Sequence, residues 1–274
     1  MDELKLLNDI AVAARLAGEA ILEIVARGFE VATKADRSPV TDADRAAELI
    51  ILAALARAAP GVPVIAEEEV AAGRIPDHGD IYFLVDPLDG TKEFVRGGDD
   101  YTVNIGLVVD GVPRLGVVYA PARDELHGGL VGSGAWVDRA GQRRPIATRG
   151  RPERATAVAS KSHFNQATAD YLDQAVAVTE HVSVGSSLKF CVVAEGQADI
   201  YPRLSPTSEW DTAAGHAVLI AAGGRVDNLD GAPLLYGKRA FINRGFVATG
   251  GWQAPPLRPW LVEFGGGGDL PQGV

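Results

Sequence analysis

Apolar positions recur along the first turns of the chain at helical spacing. Leu7, Ile10, Ala14, Ala17, Ile21 and Ile24 fall on one face, and Gly28 closes the run. A second amphipathic stretch, "ADRAAELIILAALARAAPG", predicts a helix from near Thr41 to the Pro60-Gly61 break. The period then changes. Two short apolar runs, "VPVIA" and "IYFLV", read as strands, and acids follow each at once: Glu67-Glu68-Glu69 after the first, Asp86 after the second. Two strand ends therefore deliver carboxylates toward one sheet edge. "YTVNIGLVVDGVPRLGVVYAPA" predicts a hairpin turning at Asp110-Gly111, and strand-and-turn pattern continues to about Ile146.

Beyond the polar, Gly- and Pro-broken "ATRGRPERA", the pattern alternates. Strands are predicted at "TAVAS", "HVSVGS" and "DIYPRL", with helices at "QATADYLDQAVA", "SLKFCVVAEGQA" and "DTAAGHAVLIAAGG". The expectation is an α/β protein in two halves, 1–150 and 151–252, with a peripheral or mobile tail over 253–274.

Composition narrows the partners. With 274 residues, 47% of them hydrophobic, the chain can bury a large core. A net charge of -10 argues against a polynucleotide partner, which needs a basic footprint, but allows a small anion held by local cations or metal ions. The lone Cys191 excludes an intrachain disulfide and fits a reducing compartment. The acidic opening segment lacks the basic start of a secretory leader, and no uncharged apolar run reaches spanning length. A cytoplasmic protein without an integral membrane segment is predicted.

The chemistry concentrates in "DPLDGT". Asp86 leaves the strand, Pro87 fixes a bend, and Asp89 returns toward the same point; the Leu88 carbonyl offers a third oxygen. Gly90 permits close backbone approach, and Gly90-Thr91 would open a helix whose free N–H groups favour an anion. Carboxylate and carbonyl oxygens suit Mg²⁺, which shares its coordination with substrate phosphates. Structural readings stand beside these. Asp89 and Asp211 could each be an N-cap, and "TDAD" fits a capping box closed by Asp44. Any of the three glutamates after "VPVIA" could point inward. In the second half, "GSSLKF" sets Ser186, Ser187 and Lys189 at a strand-to-helix turn, "SKSH" brings His163, and "DIYPRL" brings Arg203. Together they make a candidate second phosphate site.

Taken in order, "VTDAD", "EE", "DPLDGT", "YTVNIGLV", "SKSH", "GSSLKF" and "EWDTAAG" resemble the inositol monophosphatase superfamily of Mg²⁺-dependent phosphatases, and within it the 3′(2′),5′-bisphosphate nucleotidase branch. The resemblance spans roughly residues 5–250. It implies a layered αβαβα sandwich, with dimers among relatives. It implies two or three Mg²⁺ ions held by Glu67, Asp86, the Leu88 carbonyl, Asp89 and Asp211, and a water activated by Glu67 and Thr91 with help from Asp44. Gly90 and Thr91 would hold the scissile phosphate; His163, Ser186, Ser187, Lys189 and Arg203 would receive a second one. An arginine at 203, where inositol-specific relatives carry glutamate, implies a bisphosphate substrate such as 3′-phosphoadenosine 5′-phosphate. Inositol phosphates, fructose 1,6-bisphosphate, or non-catalytic nucleotide binding are the alternatives.

Overall fold

The structure is a computed structural model and describes residues 2–33, 39–159 and 165–262. Asp2 caps the first helix by accepting the Lys5 N–H, and Gly28 at φ 81° ends it, giving α1 (Glu3–Arg27). After the short antiparallel pair β1 (Val31–Thr33) and β2 (Pro39–Thr41), α2 (Asp42–Ala58) starts from the predicted capping box of Thr41 and Asp44.

A seven-stranded sheet follows in chain order: β3 (Val64–Ala66), β4 (Ile81–Asp89), β5 (Thr102–Val109), β6 (Val112–Ala120), β7 (Glu125–Leu130), β8 (Gly134–Arg139) and β9 (Gln142–Ile146). Only the β3–β4 pair is parallel; every other neighbour is antiparallel, including the predicted Asp110-Gly111 hairpin. Two five-residue helices leave the β3 and β4 ends, α3 (Glu67–Ala71) and α4 (Thr91–Val95).

Residues 147–154 carry the chain to a second sheet. Its elements are β10 (Ala155–Ala159), α5 (Gln166–Asp170), β11 (Val178–Ser183), α6 (Leu188–Ala194), β12 (Ile200–Arg203), β13 (Thr207–Ser208), α7 (Ala213–Ala221), β14 (Arg225–Asn228), β15 (Ile242–Asn243), β16 (Phe246–Thr249) and α8 (Arg258–Val262). Five of these strands pair in the order β11-β10-β12-β16-β14, while β13 and β15 pair separately.

The alternation of β4 explains the layering. Phe83 and Val85 point into a core shared with α1 and α2, whereas Tyr82 and Leu84 point into a second core shared with α6, α7 and the five-stranded sheet. A strand buried on both faces must read as an uninterrupted apolar run. On the far side of the second sheet a third core joins Tyr171, Leu172 and Val247 to Leu257. The order is helices, sheet, helices, sheet, helices: the αβαβα sandwich expected. Residues 254–262 depart from the expectation of a peripheral tail. Ala254 and Leu257 are buried and α8 packs beside α5, because the outer face of the second sheet needs an apolar cover. Among the described residues no helix is long and apolar enough to cross a membrane.

Candidate active site

β4 does not stop at Asp86. Its pairing with β5 runs through Asp86↔Asn104 and resumes at Asp89↔Thr102, so Pro87 and Leu88 together face the single Val103. In a regular strand, residues three apart point to opposite faces; the extra residue of this bulge turns Asp86 and Asp89 to the same side. Pro87 has no N–H to lose from the ladder, and the Leu88 N–H donates to Asp86 Oδ1 at 3.0 Å. Gly90, at φ 90°, then takes the chain into α4. A side chain there would bring Cβ to 2.8 Å from the Asp100 carbonyl oxygen. Gly90 occupies the N-cap position, so Asp89 is not a helix cap; its Oδ2 instead accepts the Ser187 N–H at 2.7 Å.

Asp44 divides its two oxygens. Oδ2 accepts the Thr41 N–H (2.7 Å) and hydroxyl (2.8 Å), while Oδ1 lies 3.4 Å from Thr91 Oγ1. The Thr91 hydroxyl is closer to the Leu88 carbonyl, at 3.0 Å. The three glutamates separate in space. Glu67 lines the cavity, Glu69 is clamped by two Arg74 nitrogens at 2.7 Å, and the Glu68 N–H donates to Glu48 Oε2 at 3.0 Å. Asp211 also misses the N-cap position, which falls to Thr212; its Oδ2 accepts the Thr207 hydroxyl and the Ser208 N–H (3.2 Å).

Glu67, Asp86, Leu88, Asp89, Gly90, Thr91, Ser186, Ser187, Lys189, Arg203 and Asp211 all border one cavity of about 250 Å³. The two serine hydroxyls differ from expectation. Ser186 Oγ lies 2.6 Å from the Asp100 carbonyl and 2.9 Å from that of Asp89, and Ser187 Oγ is 2.6 Å from Asn104 Oδ1. They staple the 185–187 turn to the first half at the cavity edge, because a loop joining two halves must satisfy its polar groups. Asp100 reinforces the staple, accepting the Gly185 N–H at 2.8 Å and pairing with Arg123. Lys189 Nζ donates to the Ser186 carbonyl at 2.6 Å, and Arg203 donates to the carbonyls of Ser205 (3.4 Å) and Pro206 (3.2 Å). His163 lies outside the described residues.

Electrostatics divide the cavity. Asp86 is 2% exposed, and burial, then the charges of Glu67, Asp89 and Asp211, push its carboxyl well above the usual range. Burial likewise raises Asp89 to about 6, opposed by Lys189 and Arg203, and Asp211 to about 6 with repulsion from Asp89. Lys189 is pushed down to about 8 by burial, with Asp89 resisting. A set of mutually repelling oxygen donors is relieved by protonation or by a hard cation, so the donor chemistry fits Mg²⁺. Among the described residues no group of three or more acidic, histidine or cysteine side chains lies close enough together to hold a metal ion without further donors.

Asp100, Asn104 and Thr207, not singled out in the sequence, hold groups of the cavity wall, and Glu48 holds the residue next to Glu67. Glu48 alone left a signal: it sits four residues after Asp44, an acid on the buried face of a helix.

The inositol monophosphatase family model matches residues 3–255. The 3′(2′),5′-bisphosphate nucleotidase CysQ of Salmonella typhimurium is 46% identical over 250 residues, covering 89% of this chain and 99% of that protein. Among solved structures, CysQ from Bacteroides thetaiotaomicron superposes with a TM-score of 0.75 at 38% identity, over 90% of this chain and 98% of its own. Inositol monophosphatase from Anabaena gives 0.74 at 28% identity, over 96% and 97%.

Proposed function

Because the chain belongs to the inositol monophosphatase family, we propose that it is a 3′(2′),5′-bisphosphate nucleotidase, converting 3′-phosphoadenosine 5′-phosphate to AMP and phosphate. The observation that carries this is a cavity that joins Glu67, Asp86, Asp89 and Asp211 to Lys189 and Arg203. One side suits metal-bound phosphate chemistry, and the other offers cations to a second phosphate.

Glu67, Asp86, Asp89, Asp211 and the Leu88 carbonyl would hold two or three Mg²⁺ ions, which supply positive charge against the phosphate and lower the pKa of a bound water. The chain itself does the positioning. Thr91 Oγ1, its proton engaged by Leu88 O or Asp44, keeps lone pairs for the attacking water. Glu67 lies across the same cavity as a proton acceptor. Gly90 and Thr91, at the start of α4, line the cavity and would hold the scissile phosphate. Arg203 presents a charged, planar donor set to the 5′-phosphate, while the Lys189 charge lies beside Asp89.

The test is phosphate release with Mg²⁺ from 3′-phosphoadenosine 5′-phosphate, AMP, inositol 1-phosphate and fructose 1,6-bisphosphate, with Asp89→Asn alongside. The adenosine bisphosphate should turn over fastest. The variant should lose more than the ~100-fold that removing a ligand's supporting contact costs. An Asp89→Asn protein that keeps its activity would contradict the metal assignment. A faster sugar phosphate would overturn the substrate alone.

A further inference from the structure

The start of α3 lacks something a helix start requires. Its first N–H groups need acceptors, yet the N-cap residue is Ala66, which has no side-chain oxygen. The acceptor comes from another helix. Glu48, 4% exposed on α2, places Oε2 at 3.0 Å from the Glu68 N–H. Burying a carboxylate is costly, and a surface cap would have served a merely structural helix at less expense. What distinguishes this helix is its first residue, Glu67, on the cavity wall.

The placement of Glu48 along α2 is equally specific. Asp44 and Glu48 are four residues apart, hence neighbours on one helix face, and both are buried. Asp44 approaches Thr91, and Glu48 holds the residue beside Glu67. One turn of α2 thus reaches Thr91 directly and the backbone of the residue next to Glu67, although the two follow different strands, β4 and β3. The Glu69–Arg74 pair holds α3 from its solvent side, the β3–β4 pairing holds Ala66, and the Glu48 contact acts on the first turn of the helix itself.

We propose that Glu48 is a positioning residue for Glu67: by capping α3 from α2, it sets the Glu67 carboxylate in register with Thr91. The proposal rests on the phosphatase reading given above, and it assigns Glu48 no contact with substrate or metal.

Three variants separate positioning from general stability. Glu48→Gln keeps an oxygen acceptor at the same reach. Glu48→Asp keeps the carboxylate but withdraws it by one methylene. Glu48→Ala removes it. With 3′-phosphoadenosine 5′-phosphate, Ala and Asp should each lower kcat by ~10–100-fold, with KM shifted by less than about threefold, and Gln should stay within about threefold of the parent. Mn²⁺ binding in the absence of substrate, measured by isothermal titration calorimetry, should weaken by ~10-fold for Ala and Asp and hold for Gln. Should Ala fail to fold, the Asp–Gln contrast carries the test unaided.

Equal kcat and equal Mn²⁺ affinity for Asp and Gln would overturn the proposal. So would losses that follow melting temperature in all three variants, with normal kcat per folded molecule. Asp89→Asn, assayed in parallel, reports on the other assignment. If it is inactive while Glu48→Asp is fully active, only the role of Glu48 falls. If it remains active, the phosphatase reading falls first.

Discussion

At the scale of single residues, the site depends on side chains whose hydrogen-bonding capacity is divided. Asp44 gives one oxygen to its own helix cap and turns the other toward Thr91. Asp211 commits Oδ2 to Thr207 and Ser208, leaving Oδ1 for the cavity. Ser186 and Ser187 show the opposite outcome, since their hydroxyls are used within the protein. Arg203 is then the residue on which discrimination between one phosphate and two should fall. A hydrogen-bonded charge pair lost from a binding site costs about 1.5–3 kcal/mol, or roughly 10–100-fold. Arg203→Ala should therefore raise KM for 3′-phosphoadenosine 5′-phosphate by that factor while changing the KM for a monophosphate ester little. Steady-state kinetics on both substrates decide it, and equal losses on the two would remove Arg203 from the second-phosphate site.

At the scale of elements, α7 is seated by an absence of side chains. Gly106, Gly116 and Gly129 are cross-strand partners on β5, β6 and β7, forming a glycine row across three strands. A Cβ on Gly106 would lie 2.8 Å from the Ala214 N, one on Gly116 2.8 Å from the Ala214 Cα, and one on Gly129 2.7 Å from the Val218 Cα. The helix backbone lies directly in this trough, and Asp211 precedes the helix by two residues. Gly116→Ala meets backbone on the far side, which cannot rotate away as a side chain can. Overpacking of this kind costs about 1–3 kcal/mol. Urea unfolding should show that loss, and kcat should fall with it as Asp211 shifts. Unchanged stability would mean that α7 has slack the glycine row does not suggest. In the same way, the β4 bulge and the Glu48 cap are element-scale devices: each converts a strand end into a placed carboxylate.

At the scale of the whole molecule, the layered order makes the middle helices the least hydrated part of the fold. His216 on α7 is 3% exposed, and its Nδ1 lies 3.0 Å from the Tyr236 hydroxyl. Burial, with Lys238 adding to it, pushes its pKa down to about 3 from the ordinary 6.5. Between those values the unfolded chain binds a proton that the folded chain refuses, so stability rises with pH across the window and is lost on acidification. From pH 7 to pH 5 this amounts to on the order of 2 kcal/mol. His216→Gln, whose amide can still meet Tyr236, should flatten the fall of melting temperature over that range. Parallel curves for parent and variant would show that His216 does not remain neutral.

Much of this was present in the sequence, for identifiable reasons. Periodicity gave α1, α2 and the strands, because burying one face of a helix or both faces of a strand forces that spacing on the residues. The short-range chemistry of "DPLDGT" and the Thr41–Asp44 box was legible because both are local: their hydrogen bonds close within a few residues. The tertiary structure alone decided what Glu68 and Glu69 meet while Glu67 lines the cavity, that Asp211 is held by Thr207 instead of capping α7, and that Ser186 and Ser187 bind the first half. It also decided that three glycines far apart in the chain make one trough and that residues 254–262 cover the outer sheet. Most of these depend on which groups meet across long sequence separations, as Glu68 and Glu48 or Ser187 and Asn104 do, and no local pattern encodes that meeting.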